Sequence, residues 1–136
     1  MRFMAFRKRL TDLLECEERE KIFGEEGVNS NAEIEDFLKA YSNAEFVITD
    51  SFHGTCLAII FNKPFISIAN KKRGEKRFVS LLKWLGLMDR LIYDINEIYE
   101  KVELLESFDF SNVNNIINDS KKQGYDWLRE NLSKMV

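Results

Sequence analysis

Histidine occurs once in this 136-residue chain, proline once and cysteine twice. A single His53 leaves no histidine pair for a metal. Cys16 and Cys56 form neither a Cys-x-x-Cys pair nor any metal-ligand spacing, so no metal site and no cofactor is expected. A disulfide is not expected either, and Cys56, inside the apolar run 55–61, reads as an inert buried thiol. No uncharged stretch reaches the roughly eighteen residues of a spanning helix. Residues 1–9 carry positive charge without the apolar core of a signal peptide. A cytoplasmic, reducing environment is the expectation. An excess of base is also missing: 20 Lys and Arg against 23 Asp and Glu give a net charge of −3. No global positive field therefore points to nucleic acid.

What is present suits one folded domain over residues 1–136. Hydrophobic residues make up 45% of the chain and phenylalanine alone supplies 11, which excludes a disordered tail or a low-complexity linker. Phe3, Phe6, Leu10, Leu13 and Leu14 recur at helical spacing, so the lead-in 1–30 reads as an amphipathic helix followed by a polar break. Ser30 or Asn31 is the expected cap of a second helix with the face Ile34, Phe37, Leu38 and Tyr41. Residues 45–49 read as a buried strand, 50–54 as a tight polar turn and 55–61 as a buried helix opened by Gly54 and closed before Pro64. A second strand follows at 65–69. Strand, helix and strand in this span form a βαβ unit, predicting a parallel, Rossmann-like α/β sheet flanked by helices. Further helix faces are expected at Phe78, Leu81, Leu82 and Leu85, and at Ile95, Ile98, Tyr99, Val102 and Leu105. A short strand at 91–93 lies between them. A last helix starts near Val113, with a break near Gly124, and Trp84 and Trp127 read as core or interface.

Two polar segments follow strand carboxyl ends, where open parallel sheets collect ligands. The first is Thr49-Asp-Ser-Phe-His-Gly-Thr55. It offers backbone N–H groups, the Ser51 and Thr55 hydroxyls, the His53 imidazole, and a glycine, Gly54, that admits close approach. Those are the parts of an anion site, and His53 suits proton transfer near neutral pH. A plainer reading stands beside it, in which Ser51 only caps the helix and His53 serves a buried carbonyl. The second segment is basic: Lys71, Lys72, Arg73, Lys76 and Arg77. Arginine forks grip phosphate and carboxylate bidentately, and lysine acts as a point charge. Alone it is an ordinary solvated loop. Sequential parallel strands put both segments on one rim, which favours an anionic ligand.

The run Ala44-Glu-Phe-Val-Ile-Thr-Asp-Ser-Phe-His-Gly-Thr-Cys-Leu-Ala58, followed by Phe61-Asn-Lys-Pro-Phe-Ile66, resembles the C-terminal half of the polysaccharide pyruvyl transferase family. Arg77-Phe-Val-Ser-Leu-Leu82, Leu85-Gly-Leu87 and Trp127-Leu-Arg129 continue the pattern, whereas residues 1–30 match nothing placeable. The resemblance implies one lobe of a GT-B-like fold with two Rossmann-like halves. It implies transfer of a pyruvyl group from phosphoenolpyruvate to a sugar of a bacterial surface polysaccharide. Carried over, His53 is the catalytic histidine. Arg73 and Arg77, with Lys71 and Lys72, bind the donor's phosphate and carboxylate beside Ser51, Gly54 and Thr55. A second lobe of about 150–250 residues is implied for a full member, so the chain alone is expected to bind anions weakly and to transfer nothing. The alternatives are half of a nucleotide-sugar glycosyltransferase, or a non-catalytic remnant that forms a homodimer.

Overall fold

Short, nearly continuous buried runs build the centre of the molecule. The computed structural model describes residues 3–6, 34–72 and 74–135. In chain order these form strand β1 (Phe3–Phe6), helix α1 (Ile34–Asn43), β2 (Phe46–Thr49), α2 (Phe52–Ile60) and β3 (Phe65–Ile68). Helix α3 (Glu75–Leu85), β4 (Leu91–Ile92) and α4 (Ser111–Ser133) complete the set, with 3-10 turns at Met88–Arg90, Ile95–Glu100 and Val102–Leu105. The sheet order is β1-β2-β3-β4. Strands β2, β3 and β4 are parallel, with Val47 opposite Phe65 and Ser67 opposite Leu91. This confirms an α/β architecture with a parallel three-stranded sheet and flanking helices.

The period of two along each strand sorts side chains onto two faces. Val47 and Phe65 point to one cluster with Tyr41, Ala58, Phe78, Leu82, Leu85 and Val113, drawn from all four helices. Phe46, Ile48, Ile66 and Ile92 point to the other, where Leu105 and Ile98 from the 3-10 turns pack. Full burial of a Leu or Phe side chain contributes about 1.5–3 kcal/mol, so the first cluster is the larger source of stability.

Several expectations are corrected. Residues 3–6, expected in a helix, form a strand that pairs antiparallel with β2, Phe3 opposite Thr49 and Phe6 opposite Phe46. The sheet is therefore mixed. The face at 95–105 is not one α-helix but two 3-10 turns; spacings of three suit either helix, and Asp94 with Glu97 closes a capping box that starts the tighter form. Helix α4 runs unbroken through Gly124. Trp84 and Trp127 are not core, being 49% and 63% exposed. In α1 only part of the expected face is inward: Tyr41 is fully buried, while Ile34 and Leu38 face solvent. The helix expected over residues 7–20, its polar break and the Ser30 or Asn31 cap lie outside the described residues, as does Arg73.

Candidate functional site

Parallel β2, β3 and β4 end on one side, so the segments after Thr49, Ile68 and Ile92 share a rim. Helix α2 begins three residues earlier than expected, at Phe52, which moves His53 and Gly54 from the turn into the first helical turn. Ser51 is the N-cap, its backbone extended and its Oγ accepting from the Gly54 N–H at 3.2 Å. The Ser51 N–H donates in turn to Thr49 Oγ1 at 3.1 Å. The first backbone bond of the helix runs from the Thr55 N–H to the Ser51 carbonyl, 2.9 Å. The N–H groups of Phe52 and His53 precede that ladder and point out of the helix start.

Gly54 and Thr55 are buried and work inward. A Cβ on Gly54 would land against Thr49 Oγ1 and 2.9 Å from the Tyr41 hydroxyl, so the glycine lets α2 close onto β2 and α1. The Thr55 hydroxyl lies 3.1 Å from the Ser51 carbonyl and 2.6 Å from Ser67 Oγ. With one proton to give, it donates to the carbonyl and accepts from Ser67. This chain of buried hydroxyls ties the α2 start to β3. His53 by contrast is exposed, its ring edge-on to Phe52 at 5.9 Å. It therefore serves no buried carbonyl.

The basic segment begins with an Asn70 turn, in which Oδ1 accepts from the Lys72 N–H at 2.8 Å. Gly74 adopts φ 74°, a left-handed conformation that a side chain strains, and starts α3. Lys71, Lys72, Lys76 and Arg77 are all exposed. Arg77 folds back so that its guanidinium lies 5.3 Å from the Phe52 ring centroid, and Phe52 in turn packs edge-on against buried Phe78 at 5.8 Å. Phe52 thus joins the two segments, with His53 edge-on to its ring and Arg77 over it. Sequence reading passed over Phe52, and its only signal was its place inside the motif. It also missed the third contributor to the rim, Tyr93 after β4. The Lys71 ammonium sits 5.2 Å from the Tyr93 ring, and the Tyr93 hydroxyl donates to Glu75 Oε1 at 2.6 Å. That bond to a carboxylate raises the Tyr93 pKa above the usual phenol value.

A cavity of about 580 Å³ lies at the other end of the sheet, between Glu45, Phe46, Lys63, Pro64, Glu106 and Phe108. Among the described residues no group of three or more His, Cys, Asp or Glu is arranged to hold a metal ion. Cys56 is half-buried, and burial pushes its thiol pKa up, away from the reactive thiolate.

The described residues thus form an α/β sheet with exposed cations outside the carboxyl ends of its parallel strands, the end at which such sheets generally collect ligands. The family model for polysaccharide pyruvyl transferase matches residues 5–72, half of the chain, and the chain belongs to that family. The match includes the Thr49–Thr55 motif and reaches Lys72. It extends upstream into the lead-in that sequence reading left unplaced, and it stops before Arg77 and Tyr93. No curated protein and no solved structure matches the chain. Among the described residues no helix is long and apolar enough to cross a membrane.

Proposed function

We propose that this chain is the donor-binding, C-terminal lobe of a GT-B-like pyruvyl transferase, acting on phosphoenolpyruvate and a sugar of a surface polysaccharide. The convergence of His53 and Arg77 on the Phe52 ring carries this reading, together with family membership. Ketal formation at the donor's C2 needs three services. A proton must reach the methylene carbon, sugar hydroxyl protons must leave, and charge must be stabilised on the departing phosphate. His53, exposed at the helix start, serves as the acid–base group of the motif. Arg77, Lys71 and Lys72, with Arg73 in the same segment, hold the donor's phosphate and carboxylate. The outward N–H groups of Phe52 and His53 add donors from the positive end of α2. Ser51 orders that turn, and Gly54 and Thr55 hold it against the sheet.

A lobe with one wall neither excludes water nor orients an acceptor. The chain alone therefore binds phosphoenolpyruvate weakly and transfers no pyruvyl group. Calorimetric titration at low salt tests the donor site. Arg77→Ala should weaken binding several-fold, and His53→Ala should leave it nearly unchanged if the imidazole moves protons rather than holding the ligand. Equal binding by wild type and a variant lacking Lys71, Lys72 and Arg77 would contradict the assignment.

A further inference from the structure

Two of the rim's cations rest on aromatic rings, not on carboxylates. Arg77 lies over Phe52 and Lys71 over Tyr93. Neither makes an ion pair among the described residues. A ring attracts a cation through its quadrupole and takes none of its N–H donors, whereas a carboxylate neutralises the charge and occupies them. Both rings are themselves fixed. Phe52 is wedged edge-on against Phe78, at an interplanar angle of 86°, and against His53 at 74°. Tyr93 is held at both ends: its hydroxyl donates to Glu75 and its backbone N–H donates to Glu97 Oε1 at 3.0 Å. Glu75, the acid inside the basic segment, is thereby engaged with Tyr93 rather than with Lys71 or Arg77. Glu97 is likewise taken up by the N–H groups of Tyr93 and Asp94.

We infer that Phe52 and Tyr93 are positioning residues of the anion site. They present Arg77 and Lys71, with donors unspent, to a ligand carrying two negative poles, a carboxylate and a phosphate. This rests on the donor-site reading above and deepens it, because Tyr93 lies beyond the residues that the family model matches. It brings the β4 end into the same site as the β2 and β3 ends.

The test is a set of NMR titrations of the full chain at low salt with phosphoenolpyruvate and, separately, with inorganic phosphate. Phe52→Leu and Tyr93→Leu keep an apolar side chain and remove the ring. Each is expected to raise the phosphoenolpyruvate dissociation constant about two- to fivefold, the range of an exposed cation–ring contact. Phe52→Tyr restores wild-type affinity, and Tyr93→Phe, which keeps the ring but loses the Glu75 bond, falls between. Adding Phe52→Leu to Arg77→Ala costs nothing further, since the ring acts only through that cation. The Arg77 Nε–H resonance also loses its ring-current shift in Phe52→Leu, a signature that general loosening does not produce. Should Phe52→Leu fail to fold, exposed Tyr93 carries the test alone. Leucine variants that bind as well as the wild type overturn the inference and leave the donor site standing. A wild-type chain that binds neither ligand overturns the donor site, and the positioning role with it.

Discussion

Gly54→Ala adds one methyl group at the place where the site meets the core. The new Cβ would press on Thr49 Oγ1 and sit 2.9 Å from the Tyr41 hydroxyl and 3.2 Å from Thr49 Cβ. Neither neighbour yields easily: Thr49 is 1% exposed and Tyr41 is fully buried. Thr49 Oγ1 also holds the Ser51 N–H, so displacing it loosens the cap of α2. Overpacking of this kind costs about 1–3 kcal/mol. The better helix propensity of alanine returns up to ~1 kcal/mol, and less at a helix start. The net loss is about 1–2 kcal/mol, which for a chain of this size lowers Tm by roughly 3–10 °C. Thermal and urea unfolding followed by circular dichroism measure it. Gly124→Ala is the control, since nothing lies within 4 Å of its site on exposed α4, and it should stabilise by up to ~1 kcal/mol. If both substitutions raise Tm equally, Gly54 is not packed against β2 and α1 and the geometry of the α2 start is wrong.

Other perturbations separate the internal supports from the ligand-facing groups. Thr55→Val leaves Ser67 without its buried partner and should cost about 1–3 kcal/mol in urea unfolding, while the pair Thr55→Val with Ser67→Ala recovers much of it. Arg90 is 2% exposed, stacks 4.2 Å from the Phe108 ring and donates to the Phe65 and Leu104 carbonyls, so Arg90→Ala should cost about 3–5 kcal/mol by the same measurement. Bonds from Ser111 hold the Asp109 carboxyl below its usual pKa, and the Tyr93 and Asp94 N–H groups do the same for Glu97. Their depressed values make them stabilising above the ordinary carboxylate range and not below it. Stability should therefore fall as pH drops from the ordinary carboxylate range through their lowered folded-state values, less steeply in Asp109→Asn.

The βαβ unit was legible because its signals are local. The continuous run 46–49, the capping Ser51 and the breaker at Pro64 each act within a few residues, and the structure reproduces them. The start of α2 was misplaced because Gly54 was taken as a helix opener, whereas its small size serves packing against Thr49 and Tyr41 from elsewhere in the chain. Strand β1 escaped notice for a related reason. Phe3 and Phe6 sit three apart as on a helix, and only pairing with β2, some forty residues on, makes them a strand. The polar rim was legible as two loops, because the βαβ rule places them together. The rings that seat its cations were not, since Lys71 and Tyr93 are separated by the whole of α3.

The central claim is that the rim after β2, β3 and β4 holds the donor. The most direct measurement is the pattern of backbone amide shifts when phosphoenolpyruvate is titrated into the isotope-labelled chain. The expected result is a cluster at residues 51–54, 71–77 and 93–94, reduced by Arg77→Ala. Shifts centred instead on Glu45, Lys63 and Glu106, around the cavity at the opposite end of the sheet, would contradict it.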